Sequence, residues 1–173
     1  MKELRGYRYR IYPDAEQSVQ IAKTVGCARL MYNLLLADYK SQIGGDEKPK
    51  LHEVTYFKED RPFLSEVDSL ALANAKQNLH AALTNWSNSK KGKRKGKKVR
   101  FPKFHAKSKS RLTYTTNNQN GTVRIEGDRI KLLQVGVVHH KYSQKNFAAK
   151  GNSCFGTLTV GVNSLHLLLQ RFV

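Results

Sequence analysis

Tyr7, Tyr9 and Ile11 alternate with Arg8 and Arg10. That period of two predicts a strand from Leu4 to Tyr12 with an aromatic, core-facing side and a basic side. Pro13 ends it. Asp14 stands three residues before Gln17, an N-cap signal with a capping-box partner. The spacing then becomes helical. Val19, Ala22 and Val25 predict one side of a helix from Ala15 to Val25, with Gly26 as its end. Cys27, Leu30, Met31, Leu34 and Leu35 predict a second helix from Cys27 to Ile43. Gly44 and Gly45 stop it, and a polar loop reaches Pro49. Leu51 to Asp60 reads as a short helix. Asp68 or Ser69 can cap a longer one to Trp86, with a stripe of Leu72, Ala75, Leu79, Leu83 and Trp86. These helices can share one core.

The pattern changes again at Ser87. Gly92 and Gly96 argue against a helix in the stretch that follows. Arg111 to Thr116, Thr122 to Glu126, Arg129 to Leu133 and Val135 to Tyr142 read as short strands. Asn117 to Gly121 and the pair Gly127-Asp128 supply the turns. The order is strand, helices, strands. The isolated first strand is expected to join the later ones in a single sheet or small barrel, which makes the helices an insertion.

Charge sharpens this division. The 173 residues carry a formal charge of +18. Residues 1–86 hold 12 Lys/Arg against 11 Asp/Glu, whereas residues 87–173 hold 19 against 2. Such an excess repels itself unless a polyanion neutralises it. An anionic membrane is the weaker candidate. No apolar run approaches the roughly 18 residues a bilayer span needs, and Met1 to Arg10 lacks the apolar core of a signal peptide. Cys27 and Cys154 are the two cysteines, and they are read as reduced thiols, Cys27 in the core. Nucleic acid is the expected partner, in a cytoplasmic and nucleoid-associated setting.

The densest candidate chemistry is Lys90, Lys91, Lys93, Arg94, Lys95, Lys97, Lys98 and Arg100, followed by Phe101, Phe104 and Tyr114. Cations meeting phosphates release counterions, and aromatic faces stack on unpaired bases. A solvated linker is the bland alternative. Arg8 and Arg10 make the first strand's other face basic, and Arg29, Asn33 and Lys40 offer further contacts on the second helix. Catalysis reads poorly. His139 and His140 are adjacent on a strand and point to opposite faces. Only Glu126 and Asp128 are acidic in the basic half, too few for a two-metal nuclease. No cofactor, metal ligand or catalytic residue is expected.

Tyr9-Arg10-Ile11-Tyr12-Pro13 and Gly26-Cys27-Ala28-Arg29-Leu30-Met31-Tyr32-Asn33 resemble the start of the OrfB/TnpB family of insertion-sequence proteins. Phe101-Pro102-Lys103-Phe104, Tyr114 to Gly121 and Ile130-Lys131-Leu132 continue the likeness, which covers roughly residues 5–142. The family are transposon-encoded, RNA-guided DNA endonucleases, also known as transposases. The resemblance implies a wedge-like β-barrel with a helical recognition domain inserted after the first strand. Both parts would grip guide RNA and the guide–target duplex. Family nucleases continue into a RuvC-like domain with three acidic metal ligands and a four-Cys zinc module. Neither is in these residues, so a truncated, non-cutting form is expected. After Tyr142 the likeness fades, and residues 143–173 read as a divergent tail, out of frame in the simplest interpretation.

The expectations are therefore an α+β fold with a small wedge-like barrel and an inserted helical domain. Residues 1–13 form the first barrel strand, 14–88 the helical insertion, 89–111 a basic segment, and 112–142 the remaining strands. The nucleic-acid-binding residues are Arg8, Arg10, Arg29, Asn33, Lys93, Arg94, Lys97, Lys98, Arg100, Lys103, Phe104, Arg111 and Tyr114. The partners are guide RNA and DNA. Alternative readings are one chain of a split nuclease completed by a separate RuvC-bearing chain, a stand-alone DNA-binding regulator, and an inert gene remnant.

Overall fold

The computed structural model describes residues 2–109, 112–119, 122–142, 157–161 and 164–172; for 2–9, 125, 126, 142, 157, 158 and 164–172 it describes the backbone. The chain divides into two units. One combines residues 1–26 with 112–173 and is built on the sheet; the other is residues 27–111 and is helical.

The sheet unit holds β1 (Lys2–Tyr12), β2 (Thr113–Asn117), β3 (Arg124–Glu126), β4 (Arg129–Leu132), β5 (Gly136–Tyr142), β6 (Thr157–Gly161) and β7 (Ser164–Phe172). They form one sheet in the order β2-β6-β7-β1-β5-β4-β3. All pairings are antiparallel. The first strand is thus an interior strand, with β7 on one side and β5 on the other. Ile11, Tyr114, Thr116, Ile130, Leu132, Val138, His140 and Val160 are buried, and their neighbours Arg10, Tyr12, Arg129, Lys131, Val137, His139 and Lys141 are exposed. This is the alternation of an antiparallel sheet with one covered and one open face.

Two expectations change here. The fold is α+β, but the expected closed barrel is absent among the described residues: β2 and β3 are opposite ends of the sheet. Closure needs staggered edge strands that meet, and β3 offers three residues. Residues 143–173 read as a divergent tail beyond the strands expected over 112–142. Instead β6 and β7 lie inside the sheet, and β7 pairs with β1 from Lys2↔Phe172 to Arg10↔Ser164. Leu165 to Leu169 is a mostly apolar run within β7. A short apolar run is how an interior strand is written. Residues 143–156 of that tail lie outside the described residues.

A single helix, α1 (Ala15–Ser41), replaces the two expected ones and runs through Gly26 without a break. One glycine inside a helix costs only about 1 kcal/mol relative to alanine, too little to stop a helix that packs along both parts of its length. Its start is the anticipated capping box. The Gln17 amide donates to Asp14 Oδ1 at 2.8 Å, and the Asp14 amide donates to Gln17 Oε1 at 3.1 Å. The buried positions of its first part are Ile21, Thr24 and Val25; Val19 is exposed and Ala22 is too, so the apolar face predicted there is rotated. Gln17 Nε2 also donates to the Val137 carbonyl at 2.9 Å, tying the helix start to β5.

In the helical unit, the rest of α1, α2 (Val54–Glu59), a 3-10 turn (Pro62–Ser65) and α3 (Ser69–Lys90) share one core. It is built from Met31, Tyr32, Leu35, Leu36, Phe57, Leu64, Val67, Leu72, Ala75, Leu79 and Leu83. Asp68 caps α3, accepting from the Leu70 amide at 2.8 Å. Leucine truncation at such a site removes about 2–5 kcal/mol. No helix among the described residues is long and apolar enough to cross a membrane.

Candidate nucleic-acid interface

Beyond Lys90 the chain leaves α3 through positive-φ residues Gly92 (φ 68°) and Gly96 (φ 105°), a conformation that glycine adopts without strain. Residues 90–98 are all exposed, and none is acidic. Lys93, Arg94, Lys97, Lys98 and Arg100 are among them or adjoin them. Crowded like charges repel, so this stretch stays spread into solvent and open to a polyanion.

The chain then folds back as a strap across the two long helices. The Val99 amide donates to Ser89 Oγ at 2.9 Å. Phe101 packs against the core and meets Trp86 edge-on, ring centroids 5.0 Å apart. Asn33 of α1 holds the strap's far end with both ends of its amide. Its Nδ2 donates to the His105 carbonyl at 3.1 Å, and the His105 amide donates to its Oδ1 at 2.8 Å. The His105 ring lies flat on Tyr32, 4.1 Å between centroids and 8° apart. Burial pushes the His105 pKa down and the Tyr32 pKa up, each favouring the neutral ring. Between the tethers stands Phe104, 50% exposed. Lys40 Nζ lies 4.4 Å from its ring centroid and 5.7 Å from that of Phe101. Lys90 lies 5.7 Å from the Trp86 ring. The strap therefore presents one aromatic face beside cations, on a backbone fixed at both ends.

A second basic surface lies on the open face of the sheet. Directly opposed residues share a face. Arg10 opposes Lys141, Tyr12 opposes His139, His139 opposes Arg129, and Lys131 opposes both Val137 and Arg124. Five cations thus fall on one face around Tyr12, whose ring carries the Arg10 guanidinium 5.7 Å from its centroid. Asp128 is the described carboxylate nearby, 3.5 Å from His139 Nδ1. Sequence reasoning named only Arg10 of this group. The alternation of Arg129 and Lys131 was a signal, but the register that aligns them with Arg10 was not legible.

The expected site residues divide as follows. Lys93, Arg94, Lys97, Lys98, Arg100, Lys103 and Phe104 are exposed in one segment of the helical unit. Arg29 is half-buried on α1. Arg10 is exposed on the sheet, and the backbone of Arg8 pairs with His166 while its side chain lies outside the described residues, as does Arg111. One assignment is corrected. Tyr114 is 3% exposed, a member of the sheet core, so no base can reach its ring. Asn33 is engaged with the strap's own backbone. His139 and His140 do lie on opposite faces, one exposed and one buried. Among the described residues no group of three or more His, Cys, Asp or Glu is placed to hold a metal ion.

Residues 1–48 match the helix-turn-helix domain of OrfB proteins of the IS605 group. In this chain the matched residues form β1, the whole of the uninterrupted α1 and the start of the loop after it. The chain is also similar to a Streptomyces pristinaespiralis protein named "Putative RNA-guided DNA endonuclease", 31% identical over 116 residues. That alignment covers 63% of this chain and 27% of the relative, so the chain spans about a quarter of the relative's length.

Proposed function

We propose that the chain is of the OrfB/TnpB type in its N-terminal part, the reading that its matches support, and that these 173 residues bind guide RNA and DNA and cut neither. The observation that carries the reading is the strap with its approach. Eight cations stand between Lys90 and Arg100 without an acid, next to an aromatic ring that is half exposed and held in place. Cations along an exposed loop can track phosphates, and a fixed aromatic face receives an unpaired base. The open sheet face supplies a second set of cations on rigid strands, suited to a backbone of fixed shape. In family terms the sheet unit is the wedge-like part and the helical unit the recognition part. Binding of this kind puts the protein at the nucleoid.

The absence of cutting rests on the carboxylates. Phosphodiester hydrolysis by two metal ions needs several convergent acids, and Asp128, beside His139, has no third metal-binding side chain grouped with it among the described residues. A second reading, one chain of a split nuclease, draws on the endonuclease name of the relative. A single titration addresses both. Labelled structured RNA, unstructured RNA of equal length and duplex DNA are titrated with the purified chain and Mg²⁺. The structured RNA should bind best and the duplex should remain whole. Metal-dependent cleavage that persists through stringent purification contradicts the proposal. Cleavage that appears only on adding a RuvC-bearing chain selects the second reading.

A further inference from the structure

We propose that Asn33 is a positioning residue for this interface, acting through the strap to hold the Phe104 ring where a base can stack on it; this rests on the reading of Phe104 as a stacking platform. Three observations carry it. Asn33 lies within α1, eight residues before the helix ends at Ser41, so its backbone is fixed. Its two hydrogen bonds both go to the main chain of His105, the residue next to Phe104. The other groups that tether the strap, Ser89 and Trp86, act at Val99 and Phe101. Beside Asn33, the Tyr32–His105 stack also holds the far end. A ring at the surface gains most from stacking when its backbone is already ordered, since ordering on binding subtracts from affinity. Asn33 has no need to touch nucleic acid for this: its side chain, half-buried, is engaged with the strap's main chain.

The test is a double-mutant cycle on the full chain, with a labelled oligothymidylate as probe. Phe104→Ala is expected to weaken binding roughly tenfold, the size of one lost base stack. Asn33→Ala should weaken it by a similar factor while leaving the salt slope unchanged, because the number of phosphate contacts is the same. In the Phe104→Ala background, Asn33→Ala should have almost no further effect on affinity. Its effect on the melting temperature should be equal in both backgrounds, which separates positioning from a purely structural role. Asn33→Asp keeps the acceptor for the His105 amide but sets a carboxylate oxygen against the His105 carbonyl, so it should lose at least as much affinity as Asn33→Ala; Asn33→Ser replaces Asn33→Ala in the cycle should the alanine variant not fold. The emission of Trp86, the sole tryptophan, reports whether the strap's root stays packed. Equal losses from Asn33→Ala in both backgrounds, or wild-type affinity for Asn33→Ala, overturn the proposal alone. Wild-type affinity for Phe104→Ala overturns the stacking reading, and the positioning role falls with it.

Discussion

The two units carry their cations in opposite ways. On the sheet, Arg10, Arg124, Arg129, Lys131 and Lys141 are set by register, each on a strand whose alternate residues are buried. In the helical unit, the cations from Lys90 to Arg100 lie on chain outside any helix or strand, apart from Lys90 at the end of α3. A strand fixes spacing and direction before a partner arrives. A loop outside regular structure can adapt to the partner and loses conformational entropy in doing so. The contrast teaches that one chain can present a rigid and a compliant basic surface, and that the compliant one needs tethers such as Ser89 and Asn33.

The most severe way to break this comparison is to delete residues 1–12. β1 is bonded on both sides, so its loss exposes backbone donors and acceptors on β5 and β7 together. Hydrogen exchange should show the sheet unit unprotected while α3 keeps its protection. Unchanged protection across β5 would refute the interior placement of β1. A smaller but still large effect is expected from Tyr114→Ala, about 3–5 kcal/mol of stability, the range for truncating a buried aromatic. Denaturant melts should show it, and probe affinity at temperatures where the protein is folded should not change. Loss of affinity without loss of stability would return Tyr114 to the binding surface.

Acid should separate the units next. Burial pushes the His140 pKa below its ordinary 6.5. Between that lowered value and 6.5 the unfolded chain holds the proton and the folded chain does not. The contribution is therefore fully present above about pH 6.5 and is lost as pH falls toward the folded value. Melts of wild type and His140→Phe across this window should diverge, with wild type losing more. Parallel curves would contradict a desolvated His140. His105, also lowered by burial, has the same sign, so the difference between the two proteins is the quantity to read. The smallest effect is Gly26→Ala. A Cβ there meets nothing within 4 Å, and alanine favours an uninterrupted helix by about 0.5–1 kcal/mol. The melting temperature should rise; a fall would show that α1 is not continuous there.

Much of this was legible in the chain itself. The capping box at Asp14 and Gln17, the stripe from Leu72 to Leu83 and the strand order on either side of the helices all follow from local spacing. The likeness of residues 1–48 to the OrfB helix-turn-helix domain was legible in its motifs as well. What failed was non-local. Gly26 was read as a helix end because a glycine's local cost is visible in sequence and the packing that overrides it is not. Tyr114 follows a basic run, which suggested stacking, yet β6 pairs beside it and it is buried. Asn33 and His105 are 72 residues apart, and their contact exists only once the strap folds back.

The most direct test of the central claim is the salt dependence of single-strand binding, for wild type and for a variant with Lys93, Arg94, Lys97 and Lys98 all changed to Ala. If about six cations of the segment meet phosphates, the wild-type slope of log affinity against log salt should be about −4. The variant should bind all sequences more weakly and its slope should flatten by about 3. A variant that binds as tightly as wild type, with the same slope, would show the segment to be a solvated linker and place binding elsewhere, on Arg10 and its neighbours on the sheet.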